Sequence, residues 1–276
     1  MNKMIKNLMA AVVLSMVPAT YAAAQDLDKW EDSGMFVDGL CYVKDASGKF
    51  GYVNEEGTLV IPCKWKEAFD FENGFARVMN DNDKYGYIDT TGKQVVPCKW
   101  PIASNFAEGL ACVATEDYLA GYIDTTGKLV IPCKFKSASD FKEGLAYVVD
   151  DSYKYGYIDK IGKVVIPCKW ASVDLFDNGL ATVQDENSKW GIIDKTGKVV
   201  IPCKWNLIYN FKNGLAAVQD ANEKWGYIDM TGKVVIPCKW NDAWSFDDDG
   251  EAYVQDANEK WCWIDKTGKV LRVIND

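Results

Sequence analysis

The chain has 276 residues, 48% of them hydrophobic and 13% aromatic, and its 31 basic and 40 acidic side chains leave a formal charge of −9. That is ample material for a packed core and far from disorder, while the acidity disfavours nucleic acid and anionic lipid, which both need a basic footprint. There is no histidine, which removes the commonest general base and the usual zinc ligand.

Lys3 and Lys6, the apolar run from Leu8 to Val17 and the small residues Ala22, Ala23 and Ala24 read as a cleavable export signal over residues 1–24. The run is too short to span a bilayer, and no later segment approaches the ~18 apolar residues that would. No cysteine follows it until Cys41, which argues against a lipid-anchored precursor. The expected mature chain begins near Gln25, is periplasmic or extracellular, and does not insert in a membrane. Cleavage near Ala24 removes two lysines and no acid, taking the charge from −9 to −11.

Residues 25–276 are repetitive. Gly51, Gly86, Gly121, Gly156, Gly191 and Gly226 are spaced by 35 residues, and so are Cys63, Cys98, Cys133, Cys168, Cys203 and Cys238. A seventh copy follows after one extra residue in Asp247-Asp248-Asp249 and places Cys262 at the glycine position. The copy from Phe176 to Asn210 parses into short strands. Leu180 to Gln184 is strand-like, Asp185 to Ser188 a turn, Lys189 to Asp194 a second strand, and Asp194 to Gly197 a tight hairpin. Lys198 to Pro202 is a third strand, and a very short fourth follows Trp205. Turn signals at regular intervals and β-branched runs without helical period make the chain all-β.

Both faces of these strands carry apolar residues, so each sheet is expected to stack against copies of itself. The last copy stops at Val270 to Val273 without a Cys-Lys-Trp segment, and Lys29-Trp30 through Phe36 supplies that half. One repeat split between the two ends predicts a closed seven-bladed β-propeller zipped by its termini; an open β-solenoid of hairpins is the alternative.

The string K-W-G-x-I-D-x-x-G-K-V-V-I-P-C-K-W, at Lys189 to Trp205 and, with Tyr227 at the x, again at Lys224 to Trp240, resembles the bacterial WG (KWG) repeat family. Phe50, Tyr85 and Tyr155 replace its tryptophan, Ala120 breaks the pair, and Cys262 replaces its glycine. The resemblance implies a β-rich repeat scaffold that binds something, and it brings no reaction, cofactor or catalytic residue.

Nine cysteines in an exported chain raise the question of disulfides. Six occupy one slot of the repeat, too far apart on neighbouring blades to be bridged, and are expected to be small buried apolar residues. Cys41, Cys112 and Cys262 break the pattern; Cys41 and Cys112 read as sharing a slot two copies apart. Two aromatic series recur, one through Trp65 and Trp205 after the cysteines and one through Phe50 and Trp190. Features present in every copy are expected to pack between blades rather than to bind. Asp89, Asp124, Asp159, Asp194, Asp229 and Asp265, with Asn54 in the first copy, suit a turn better than calcium or acid–base work. Without histidine, a G-x-S-x-G elbow or a phosphate loop, nucleophilic catalysis is not expected, and no cofactor is implied. A carboxylate-based glycan hydrolase is the remaining enzymatic reading.

The positions that differ between copies are the informative ones. They fall in the loop between the first two strands and just after each Cys-Lys-Trp, and in an up-and-down blade both emerge on one side. That side is expected to bind a protein or glycan, with Glu116, Tyr118, Tyr153, Glu186, Glu223, Trp244 and Glu259 as candidate contacts. A structural or self-assembling envelope component is the alternative function.

Overall fold

The computed structural model describes residues 30–274; the expected export signal and cleavage point lie outside the described residues. Two compact units divide the chain, Met1–Trp100 and Pro101–Asp276. Every described element is a strand, and the strands form seven four-stranded antiparallel sheets in tandem. In sheet 1 these are a short strand Asp32–Ser33, a second strand Leu40–Lys44, a third strand Phe50–Asn54 and a long strand Leu59–Trp65. Sheet 2, also in the first unit, runs from Glu67 to Trp100. The second unit holds sheet 3 (Ile102 to Phe135), sheet 4 (Ser137 to Trp170), sheet 5 (Ser172 to Trp205), sheet 6 (Leu207 to Trp240) and sheet 7 (Asp242 to Val273).

Each sheet is complete from four consecutive strands. No sheet takes strands from both ends of the described chain, so the zipped closure expected from the split repeat is not found. The two-residue strand after each Cys-Lys-Trp hydrogen-bonds to the strand that follows it, as Ser172 and Val173 do to Gln184 and Val183. The hydrogen-bonded unit therefore begins four residues before the copy read from the sequence, at Ser172 rather than Phe176. The all-β tandem repeat itself stands.

The turns follow from a few residue types. Two-residue turns with both residues at positive φ, such as Asn178-Gly179 and Asn213-Gly214, lead into the second strand. Sheet 7 departs here: its extra residue converts this turn into Asp247–Gly250, closed by Gly250 N–H to the Asp247 carbonyl. The hairpin between third and long strands always ends in glycine at positive φ, as in Gly92, Gly162, Gly197, Gly232 and Gly268. A Cβ on these five would lie 3.0–3.2 Å from an isoleucine of the preceding sheet, so packing and backbone both require glycine.

The glycine of the Trp-Gly pair has a different cause. The long strand bulges at Pro-Cys, so that Tyr155 pairs with Trp170 while Tyr157 pairs with Ile166. The bulge presses the Ile166 carbonyl toward the third strand, and a Cβ on Gly156 would sit 2.5 Å from that oxygen. The cysteine sulfur lies across this glycine and reaches the second strand, 3.9 Å from the Val148 carbonyl for Cys168 and 3.9 Å from Val183 for Cys203. In sheet 7 the glycine is Cys262, and the Pro-Cys bulge is gone: Cys262 pairs with Val273 and Trp263 with Arg272 in step, and the remaining register shift falls between Trp263 and Ile264.

Within each unit, successive sheets pack face to face. Leu145, Tyr157, Ile166 and Trp170 of sheet 4 meet Val173, Phe176, Ala181, Val183 and Ile193 of sheet 5. At the centre of such interfaces a tyrosine packs on a phenylalanine, with centroids 4.8 Å apart for Tyr157 and Phe176 and for Tyr227 and Phe246. Its hydroxyl donates to a main-chain carbonyl of the next sheet, Tyr157 to Asp174 at 2.6 Å and Tyr227 to Trp244 at 2.8 Å. The tyrosine thus buries a large ring with its polar atom satisfied. Ile192 takes this position in sheet 5 and makes the interface with apolar contact alone.

Gly156→Ala is expected to lose about 3 kcal/mol in urea unfolding, because its methyl meets backbone that cannot move aside. Gly48→Ala, where a Cβ has only the end of Lys44 within 4 Å, should lose about 1 kcal/mol from its positive φ alone. Equal losses would contradict this account of the Trp-Gly glycine.

Candidate functional site

The two ends of each sheet are built differently. At the end carrying the two-residue turns, an acid recurs as a clasp. Glu143 Oε2 accepts the Gly179 amide at 3.0 Å and pairs with Lys195 Nζ at 3.0 Å, while Lys195 also donates to the Glu143 carbonyl at 2.8 Å. Glu108, Gly144 and Lys160 repeat the arrangement one sheet earlier. In the first unit, Asp38 accepts the Gly74 amide at 3.1 Å. The clasps spend their polar groups on tying neighbouring sheets together.

At the opposite end lie the hairpins between second and third strands. Each begins with Asp, Asn or Thr; in six of them a side-chain oxygen accepts amides two and four residues on, as Asp185 Oδ1 does from Asn187 and Lys189 at 2.9 Å. Its fourth residue closes the turn at positive φ: Gly48 and Asp83 in the first unit, then Tyr118, Tyr153, Ser188, Glu223 and Glu259 in the second. The hydrogen-bond pattern matches that of the glycine-ended hairpins at the other end. Glycine is nevertheless present only once here. Open space at Gly48 contrasts with the isoleucine contacts at the other hairpin, so a side chain fits, at a backbone cost of about 1 kcal/mol. Tyr118 and Tyr153, on the packed sheets 3 and 4, are each 72% exposed.

Six of the seven expected contacts, Glu116, Tyr118, Tyr153, Glu186, Glu223 and Glu259, lie on these hairpins and are exposed. The segment leaving each Cys-Lys-Trp reaches the same end, as expected. Lys66 pairs with Asp83 in the first unit, and Lys136 lies 3.4 Å from Asp151 in the second. Sequence reasoning did not single out Asn206 and Asn241. Asn206 accepts from Lys189 Nζ at 2.5 Å and donates to the Asp220 carbonyl at 2.8 Å, and Asn241 does the same between Lys224 and Asp256 at 2.7 and 2.9 Å. They link hairpins of successive sheets. The signal was available, since an amide both donates and accepts and both follow Cys-Lys-Trp directly. Lys154 and Glu186, 2.9 Å apart, make a separate link between the hairpins of sheets 4 and 5.

Trp244 does not belong with the others. Its amide donates to the Tyr253 carbonyl at the middle of a strand, and its ring meets Tyr253 edge-on at 6.1 Å. Lying beyond the two-residue strand, it has already left the hairpin end and sits at the edge of sheet 7, 59% exposed. With Tyr209 and Lys212 it lines an open depression of about 370 Å³. The first unit has a groove of about 490 Å³ among Tyr42, Phe50, Phe69, Lys44 and Asp32.

The recurrent aromatics and cysteines pack, but the six cysteines of the repeat are half-buried rather than buried as expected, because each lies in the bulge of an edge strand. Trp65, Trp100, Phe135, Trp170, Trp205 and Trp240 are buried. The Phe50 series is mixed: Trp225 is buried, and Phe50, Tyr85, Tyr155, Trp190 and Trp261 are half-buried. All nine cysteines are free. Burial pushes the thiol of Cys112 up to about 12 and those of Cys41 and Cys238 to about 11, so they stay protonated near neutrality. Cys41 and Cys112 do not share a slot. Cys41 pairs with Val53, whereas Cys112 pairs with Tyr122, the place Tyr42 holds opposite Tyr52. A one-residue offset in a strand puts them on opposite faces.

This geometry defines a tandem all-β repeat protein with one clasped and one variable end. The model of the WG containing repeat matches residues 50–84, 85–118, 121–153, 155–190, 190–225 and 225–261. The chain belongs to the WG-repeat family. No curated protein matches it. A crystal structure of a eukaryotic initiation factor is similar at 13% identity over 85% of this chain and 72% of that one, with a TM-score of 0.51. BamB from Moraxella catarrhalis shares 12% identity over 88% and 84%, TM-score 0.43, and the designed protein Ika8 10% over 87% and 85%, TM-score 0.42. At such identities the likeness concerns the fold alone.

The aspartates of the glycine-ended hairpins give the chain an acid sensitivity. Hydroxyl bonds from Thr126, Thr196, Thr231 and Thr267 hold the carboxyls of Asp124, Asp194, Asp229 and Asp265 below the usual range, against a smaller opposing effect of burial. A folded value below the unfolded one contributes stability that is complete above the ordinary carboxylate value and is lost as pH falls through the folded one. Replacing the four threonines with valine should flatten the decline of Tm below about pH 4. An unchanged acid profile would contradict the assignment.

Proposed function

We propose that this chain is an exported, non-enzymatic scaffold that recognises a protein or glycan through the hairpins between its second and third strands. The observation that carries the reading is the pair of equivalent turns. Both demand positive φ, yet one is always glycine while the other holds Gly, Asp, Tyr, Ser or Glu. Backbone strain kept where no packing requires it is a mark of function. Two exposed tyrosines on adjacent sheets add large, rigid, amphipathic contact area of the kind that dominates binding surfaces. Lysine and asparagine bridges between successive hairpins hold that surface in place, which lowers the ordering cost of binding.

Tyr118→Gly with Tyr153→Gly tests this directly. The double variant should gain about 2 kcal/mol in urea unfolding through relief of two left-handed tyrosines. It should also lose material that the full-length chain retains from its own cell-envelope extract or on a glycan array. A double variant that retains the same partner with equal affinity would remove the tyrosines from the recognition surface.

A further inference from the structure

We propose that the depression between sheets 6 and 7, lined by Tyr209 and Trp244, is a binding site for a neutral oligosaccharide. It is separate from the hairpin surface. Three departures from the repeat converge there. Ser104, Ser139 and Asp174 of sheets 3 to 5 give way at the same place to Tyr209 and Trp244 in sheets 6 and 7. The extra residue of the repeat falls in the turn Asp247–Gly250, whose first residue lines the depression. Asn213 stands where Glu108 and Glu143 form clasps, and its side-chain amide donates instead to the Asp247 carbonyl, which fixes that turn. Features carried by every copy serve the scaffold, whereas these three occur together at one place.

Both exposed rings are backed by a second ring of their own sheet. Tyr209 lies on the buried Trp225, with centroids 5.0 Å apart and 37° between the planes. Trp244 meets Tyr253 edge-on at 6.1 Å, and Tyr253 in turn stacks on Trp261 at 4.5 Å. Tyr209 is nevertheless 42% exposed and Trp244 59%. Rings held in place before a ligand arrives lower the ordering cost of binding.

The lining selects the occupant. A depression of about 370 Å³ suits a disaccharide-sized ligand. The C–H face of a pyranose is apolar and weakly positive, which matches the negative face of an aromatic ring. Its hydroxyls need donors and acceptors at the rim, and Ser245, Lys212 and Asp247 supply them. Asp247 Oδ1 accepts the amides of Asp249 and Glu251 at 3.0 and 2.9 Å, which leaves Oδ2 for a sugar hydroxyl. Lys212 is the cation of the lining, and Asp248 pairs with it at 3.2 Å. The site therefore has no surplus positive charge for a uronic acid or a sulfated sugar. A wholly apolar peptide segment would cover Lys212 and Asp247 without giving them partners.

The probes are hexasaccharides of glucose, mannose, xylose and N-acetylglucosamine, beside a galacturonate hexamer, titrated calorimetrically into the full-length chain. At least one neutral hexamer should bind and shield Trp244 from oxidation by N-bromosuccinimide, read by mass spectrometry. Shielding of Trp244 reports on this depression, whatever the hairpins hold. Trp244→Ser, which installs the residue of sheets 3 and 4, should weaken that binding about tenfold or more with Tm unchanged. Trp244→Phe, which keeps a flat ring, should retain most of it. Should Trp244→Ser fail to fold, shielding in the wild-type chain decides alone. No binding of a neutral hexamer, whatever protein the depression retains, overturns the proposal. So does binding that leaves Trp244 unshielded, equal affinity in a folded Trp244→Ser, or tighter binding of the galacturonate hexamer.

Discussion

The contact on which the structure depends is the approach of a bulged carbonyl to a glycine in the third strand. With 2.5 Å between the Ile166 oxygen and a Cβ placed on Gly156, no other residue is compatible with the bulge. The bulge in turn sets Ile166 and Trp170 on the face that meets the next sheet, and it lays Cys168 across the glycine so that its sulfur fills the opposite side. Trp-Gly at one place in the repeat and Ile-Pro-Cys-Lys-Trp at another are therefore two halves of one steric arrangement. Sheet 7 shows the dependence from the other direction: where the glycine becomes Cys262, the bulge and its proline are both absent.

Because that arrangement takes care of packing, the ends of the sheets are released for different tasks. One end is closed by glycine hairpins against isoleucine and by acid–amide–lysine clasps. The other repeats the same hairpin geometry where nothing presses on the turn, and residue identity varies there. The chain has a scaffold whose stability is decided between the sheets and whose surface chemistry can change at one end of each sheet with a penalty of about 1 kcal/mol per left-handed residue.

Much of this was legible in the sequence. The 35-residue spacing, the β-branched runs and the Asp-x-x-Gly turns are local signals, and the strands and hairpins fall where they indicate. The packing role of the tryptophans and cysteines followed from their presence in most copies. The boundaries of the sheets did not follow, because a two-residue strand such as Ser172–Val173 carries too little pattern to say which neighbour it pairs with. That error also suggested a closure through both termini. Trp244 was misplaced for the same reason: four residues after Trp240, it lies beyond the short strand and no longer at the hairpin end. The slots of Cys41 and Cys112 differ by one residue, a step that period-two geometry turns into opposite faces. The bond-forming roles of Asn206 and Asn241 depend on contacts between sheets, which no local pattern displays.

The most direct test of the central claim is a hairpin exchange. Thr115–Tyr118 and Asp150–Tyr153 are replaced together by the four residues of Asp220–Glu223, and the proteins and glycans retained by the variant and the wild-type chain are compared quantitatively. Variable hairpins on an indifferent scaffold predict an unchanged circular dichroism spectrum and unfolding midpoint together with loss of the retained partner. The same partner held with the same affinity by a folded variant would contradict the account.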